Sequence, residues 1–330
     1  MSSVADMRMI EAVRTAITEE MERDERVVVM GEDVGRKGGV FGATDGLYAR
    51  FGEARVLDTP LAESGIVGVA IGAALNGLVP IAEIQFADFI APAMNQIIQE
   101  AARFCYRTAG DFNLPMVIRA PWGGGVHGAL YHSQSIEATF SHIPGLKVVV
   151  PSTPADARGL LKAAVRDPDP VLYLEHKRTY RLVRGEVPEG DGIVPIGKAE
   201  VKRVGTDLSL IAYGLMLTYC LEVATRLAEE GISAEVLDLR TIKPMDEKAV
   251  IDTAKKTGKV LVVHEDNRFG GIAGEVMAII MENAFDSLDA PVMRLTAPDV
   301  PAMPFNHTLE AAFMPNVEKI LARARELARL

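Results

Sequence analysis

Met9, Ile10, Val13, Ile17 and Met21 recur at helical spacing, and the pattern yields near Asp24 to a short apolar strand, Val27 to Met30. Helix then strand is repeated down the chain. After the Gly-rich, charged stretch GEDVGRKGGVFGATDGL, expected to be a loop, a run of small and apolar residues from Gly65 to Leu78 reads as a helix. A strand follows at Leu78 to Glu83, and a helix is expected from about Ala91 to Thr108. Strands at Met116 to Ala120, Lys147 to Val150 and Val171 to Leu174 complete the first half, with Thr153, Pro154 and Asp156 marking a helix start between the last two.

From about Lys177 to Gly197 the pattern lapses into Arg, Glu, Gly and Pro without period, as a linker does. Beyond it, strands at Leu208 to Tyr213, Ala234 to Leu237, Val260 to His264 and near Val292 alternate with helices at Leu217 to Glu230, Asp246 to Lys256, Gly274 to Asn283 and Asn316 to Ala328. This alternation predicts an α/β protein with two domains of mostly parallel sheet flanked by helices. The boundaries are placed at 1–184, a linker at 185–200, and 201–330.

The helix beginning near Glu63 departs from the amphipathic norm. Gly65, Gly68 and Gly72, with Ala70, Ala73 and Ala74 between them, leave no polar face, which suits close approach to another backbone or a cofactor. An ionised carboxylate at the head of such a run needs a partner. The plainer reading is a first-turn acid favouring the helix N-terminus, capped by Thr59 or Ser64.

Composition narrows the function. With 330 residues and 48% hydrophobic content there is material for two cores, and a net charge of -10 without a basic, aromatic-laced stretch argues against nucleic-acid binding. Two distant cysteines, Cys105 and Cys220, build neither a disulfide framework nor a zinc cluster. The amphipathic, acid-containing start lacks the marks of a secretory or transit peptide, so a cytoplasmic location is expected. The apolar region from Gly65 to Ile84 is interrupted by Asn76, Pro80 and Glu83, which disfavours a membrane span.

Two motifs mislead. Gly123, Gly125 and Gly128 match GxGxxG, but they follow Pro121 and Trp122, open no clear apolar helix and have no acid about 20 residues on. Gly190-Asp191-Gly192 resembles the start of a thiamine diphosphate metal motif, but lies in the linker without an Asn-rich continuation and reads as a turn. Of the histidines, His142, His176 and His307 read as structural or surface residues. His132, after the glycine-rich loop and flanked by Tyr131, Ser133 and Gln134, is a functional candidate. His264 ends a strand before Glu265, Asp266 and Asn267, which read as an interface loop of the second domain.

DTPLAESGIVG, EIQFADF, IRAPWGGGVHGALYHSQS, PGLKVVVPSTPADARGLLKAAVRDPDP and EVLDLRTIKPMD occur in order along nearly the whole chain. Together they resemble the beta subunits of thiamine diphosphate-dependent 2-oxo acid dehydrogenases. The resemblance implies a pyrimidine-binding domain followed by a transketolase C-terminal-like domain. It also implies an alpha partner in an alpha2beta2 heterotetramer, which carries most of the diphosphate and Mg²⁺ site, and a lipoyl-bearing acyltransferase core. Glu63 matches the glutamate that hydrogen-bonds the cofactor's aminopyrimidine, and Leu61 and Gln85 match residues lining that pocket. Phe89 stands where many relatives have Tyr, so only ring packing carries over.

By the same resemblance His132 serves acyl transfer to the lipoyl arm. Met116, Ala164, Val165, Asp167 and Asp169 match a K⁺ loop, with Asp169 in place of the usual Asn. The motifs ALYHSQS and APWGG lean towards branched-chain 2-oxo acids, with pyruvate and acetoin dehydrogenases as alternatives. A non-catalytic scaffold is the reading of another class, and the joint presence of Glu63 and His132 argues against it. The acidic balance suggests docking to a basic module of the acyltransferase.

Overall fold

The computed structural model describes residues 4–330, which form two units. The first runs to Trp122 and resumes over Thr139–Ile196. Six of its strands are mutually parallel, in the order Lys147–Val149, Val171–His176, Val117–Trp122, Val79–Glu83, Val27–Gly31 and Val56–Asp58. Nearly every residue in them is buried, because helices cover both faces of a parallel sheet. The helix Met9–Arg23 lies against Pro154–Val165, whose start is capped as expected: the Thr153 hydroxyl accepts the Asp156 amide and Pro154 sits in the first turn.

Register places the site. Gly31 is opposite both Asp58 and Glu83, and Glu83 is opposite Arg119, so the carboxyl ends of four neighbouring strands share one edge. In open parallel sheets, ligands bind at that edge.

The second unit comprises Gly123–Ala138 and Gly197–Leu330. Its sheet runs Met293–Ala297, Val260–Asn267, Leu208–Ala212, Ala234–Asp238 and Glu200–Arg203, parallel except for the last strand. Leu215–Glu229 and Val317–Ala328 pack on one another and join this sheet's strands in a core with Leu210, Val236 and Leu261. Asp246 and Asn316 cap their helices through side-chain oxygens, and Gly258, at φ 65°, ends one in the left-handed conformation that glycine tolerates.

Four expectations need correction. The stretch read as linker holds a short helix, Thr179–Leu182, and a strand, Arg184–Pro188, which pairs antiparallel with Val4–Arg8. Both strands are short and largely exposed, with Val187 the only fully buried residue between them, so neither carries a clear hydrophobic period. The helix expected from Ala91 is broken into a 3₁₀ turn at Ala87–Ala93 containing Pro92, a π turn at Gln96–Glu100, a second 3₁₀ turn and a last α-turn at Phe104–Arg107. Neither Thr59 nor Ser64 caps the Glu63 helix: Ala62 holds that position, while the Thr59 amide bonds Gly31 at 2.9 Å to end the strand. The strand expected to end at His264 runs on to Asn267, so Glu265, Asp266 and Asn267 are strand rather than loop, and His264 within it is fully buried.

Candidate active site

In the first unit Glu63 opens the helix Glu63–Leu75 and is 9% exposed. Its neighbour across the strand ends is Glu32, whose carboxyl is pushed up by burial and then by the charges of Glu63 and Asp33. Asp33 in turn accepts the Gln85 side-chain amide at 3.3 Å. Asp58 fixes the same loop by accepting the Gly35 amide at 2.6 Å. A methyl group on Gly35 would fall 2.4 Å from that carboxylate, so the approach requires glycine. Phe89 is half buried, its ring edge-on to Phe86 at 5.8 Å. Leu61 is 78% exposed just ahead of the helix. The structure thus gathers Glu63 and Gln85 around one loop, with Glu32 and Asp33 added to the set. Sequence reading missed those two, although GED directly follows an apolar strand.

Below this edge lies a charged network equally invisible in the sequence. Arg119, wholly buried, donates to Glu83 at 2.5 Å and makes a two-pronged contact with Glu175, both bonds at 2.5 Å. The Tyr180 hydroxyl also donates to Glu175. Burial pushes Glu83 up and Arg119 pulls it part of the way back, while the two carboxylates keep the guanidinium firmly charged against its own burial. The three side chains come from three adjacent strands, which they tie together beneath the site.

His132 belongs to the second unit, on the segment 123–138. It is half buried, and the chain doubles back so tightly that a methyl group on Gly128 would lie 2.7 Å from the His132 Cβ. The glycines before it form no nucleotide cradle. Their amides are taken by side chains of the same unit: Gly124 donates to Glu265 at 2.5 Å, and Gly125 and His127 donate to Glu310 at 3.1 and 3.2 Å. After His132, Glu137 is buried and accepts the Tyr213 hydroxyl at 2.9 Å. Burial and the nearby Asp266 hold Glu137 well above the usual carboxylate range, and burial pushes Asp266 up to about 6. Burial lowers His264 to about 4, which keeps it neutral beneath the Tyr213 ring.

Of Met116, Ala164, Val165, Asp167 and Asp169, the two aspartates meet an internal cation. The Lys147 ammonium donates to Asp167 at 2.6 Å and to Asp169 at 3.0 Å. The main-chain oxygens of Met116 and Ala164 already accept the amides of Val171 and Asp167. The Gly190-Asp191-Gly192 turn is likewise occupied: Asp191 pairs with Arg166 at 2.6 Å and Lys162 at 3.0 Å, and those bonds pull its carboxyl far down.

Residues 5–183 match the family model "Transketolase, pyrimidine binding domain", and residues 197–320 match "Transketolase, C-terminal domain". The chain is 62% identical over 322 residues to the 2-oxoisovalerate dehydrogenase subunit beta of Bacillus subtilis, covering 98% of each. It belongs to the beta-subunit family of the thiamine diphosphate-dependent 2-oxo acid dehydrogenases. Its identity to the pyruvate dehydrogenase E1 component subunit beta of the same organism is 49%, over 98% of this chain and 99% of that one. A solved chain described as "Split gene transketolase, inactive beta4 tetramer" superposes with a TM-score of 0.78 at 25% identity, over 98% and 99% of the two chains.

A shielded carboxyl, an amide and an aromatic surface are groups that can hold an aminopyrimidine ring. The donor set fits. Glu63 supplies a shielded carboxyl, Gln85 an amide oriented by Asp33, and Phe89 a half-buried ring. The outward face of the Glu63 helix fits a subunit too: Gly65, Gly68 and Val69 are exposed, and a methyl group built on Gly72 would meet nothing within 4 Å of this chain. A monovalent cation fits less well, since Lys147 already neutralises the two aspartates.

Proposed function

We propose that this chain is the beta subunit of the decarboxylating, lipoyl-acylating component of a 2-oxo acid dehydrogenase complex, acting on branched-chain 2-oxo acids such as 3-methyl-2-oxobutanoate. The observation that carries it is the shielded Glu63 carboxyl beside Glu32 at the carboxyl edge of a parallel sheet, in a chain 62% identical to a 2-oxoisovalerate dehydrogenase beta subunit. The lower identity, 49%, to a pyruvate dehydrogenase subunit favours the branched-chain substrate.

Thiamine diphosphate, when bound, supplies the electron sink that lets a 2-oxo acid lose CO₂. The chain's residues set its protonation and position. Glu63 holds a hydrogen bond to the pyrimidine ring, strengthened because little water reaches it. Glu32, whose carboxyl is raised first by burial and then by the charge of Glu63, adds a second acid beside it. Gln85 and Phe89 orient the ring, and Leu61 borders it. His132 offers the proton that the lipoyl sulfur takes up during acyl transfer.

The alpha partner, in an alpha2beta2 heterotetramer, holds the diphosphate and Mg²⁺. The uncharged face of Gly65, Gly68, Val69 and Gly72 is suited to that contact. For the five candidate K⁺ residues the reading best supported is a cation site filled from within by Lys147. A cytoplasmic location is part of the proposal. Among the described residues no helix is long and apolar enough to cross a membrane.

The test is to co-express the chain with its alpha partner and compare decarboxylation of 3-methyl-2-oxobutanoate with that of pyruvate. Faster turnover of the branched acid supports the proposal. Activity confined to pyruvate transfers the substrate assignment, and cofactor retention without turnover of any 2-oxo acid favours the scaffold reading.

A further inference from the structure

Three side chains of the second unit converge at a place the proposed reaction does not use. His127 lies in the glycine loop, and His307 and Glu310 lie in the helix His307–Phe313. The His127 Nδ1 contacts Glu310 Oε2, the two imidazoles meet edge to face at 3.7 Å between centroids, and one ligand atom from each residue lies within 4.8 Å of the others. Glu310 is 3% exposed, whereas both histidines face solvent.

The carboxylate is aimed. Glu310 Oε1 accepts the Gly125 and His127 amides at 3.1 and 3.2 Å, so that oxygen is fixed and Oε2 is left to His127. His127 itself has φ 56°, a conformation that is strained for a non-glycine residue. The strained backbone brings the imidazole onto the carboxylate. Two imidazoles and a carboxylate, with the carboxylate held by backbone donors behind it, form the ligand set of a borderline divalent ion.

We propose that His127, His307 and Glu310 form a zinc site. The ion takes His127 Nδ1, one His307 ring nitrogen and Glu310 Oε2, and the solvent side leaves its fourth position to water. Bonds of about 2.0–2.2 Å to each ligand require the direct His127 Nδ1–Glu310 Oε2 contact to open around the ion and the exposed His307 ring to close inward. Two nitrogen ligands select against Mg²⁺ and Ca²⁺, which prefer oxygen. Bound there, the ion staples the glycine loop to the helix His307–Phe313.

The full chain, stripped with a chelator, is titrated with ZnCl₂ against a chromophoric zinc indicator, alone and with millimolar Mg²⁺. One zinc per chain, not displaced by Mg²⁺, is expected, with His307→Ala weakening it roughly tenfold or more. His307 is exposed and bonds neither glycine amide, so that variant keeps the loop's anchor. His127→Asn, which tolerates the same backbone angle, should weaken zinc equally, and thermal melts without zinc identify any variant that has lost its fold. X-ray absorption of the zinc-loaded chain should show two imidazole nitrogens. Absence of stoichiometric zinc, displacement by Mg²⁺, or affinity unchanged in both folded variants overturns the site.

Discussion

Glu310 Oε1 accepts the backbone N–H of Gly125 at 3.1 Å, so the most fingerprint-like glycine in the chain is spent on a carboxylate of the same unit. The same oxygen takes the His127 amide, and both bonds are held by a side chain that is 3% exposed. Glu310→Ala should strand two amide donors and lower the free energy of unfolding by about 2–4 kcal/mol. Urea denaturation measures that loss. Hydrogen exchange at Gly125 and His127 should quicken by more than the global change accounts for, and uniform exchange would remove Glu310 from its anchoring role.

Glu63→Gln should lower turnover of the branched 2-oxo acid by roughly 10² to 10⁴ in the complex with the alpha partner. In the proposed arrangement Gln85, Phe89 and the partner still hold the ring, so cofactor retention should fall less. His132→Asn should separate the half-reactions. Decarboxylation followed with an artificial electron acceptor is expected to persist while lipoyl acylation drops, and equal loss of both would place His132 in the first step.

Arg119→Met should destabilise the first unit by roughly 3–5 kcal/mol at neutral pH, because it leaves Glu83 and Glu175 buried without their cation. The sign of the pH effect follows. Without the guanidinium, burial holds the Glu83 carboxyl above its unfolded value, so the variant's stability is greatest in acid and lost as pH rises through that folded value. Melting curves should show the gap to wild type narrowing towards pH 4, and a gap that is constant with pH would contradict the charge account.

Asp266 gives a second pH signature. Burial raises its folded pKa from 3.8 to about 6, so its contribution is fully present below about pH 4 and is lost as pH rises through 6. The loss is at most about 1.4 kcal/mol per pH unit. Asp266→Asn should flatten the wild-type slope between pH 4 and 6 in denaturant titrations, whereas parallel curves would show that the carboxyl titrates normally.

Lys147 makes the potassium question measurable. If its ammonium is the resident cation of Asp167 and Asp169, the melting temperature should be the same in KCl and NaCl at equal ionic strength. Lys147→Met should lower stability by about 1–3 kcal/mol and make it depend on the cation present. A potassium-specific rise in the wild-type chain would instead restore the five-residue K⁺ site.

The sequence alone determined the alternation of helices and strands, the parallel sheets it implies, the capped start at Thr153 and the family motifs around Glu63 and His132. These are local signals: hydrophobic period, cap chemistry and short residue strings survive without knowledge of partners. What only the tertiary structure decided depends on residues far apart in the chain. The polar strand Arg184–Pro188 exists because Val4–Arg8 pairs with it, and the Arg119 network because three strands bring Glu83 and Glu175 within 2.5 Å. Glu32 joins Glu63 only through strand register. The GxGxxG loop, the aspartates at 167 and 169 and the turn at Asp191 all look ready for a ligand in isolation, and folding gives each a partner from elsewhere in its own unit. A charge or an amide declares its type in sequence, but which group satisfies it is set by packing.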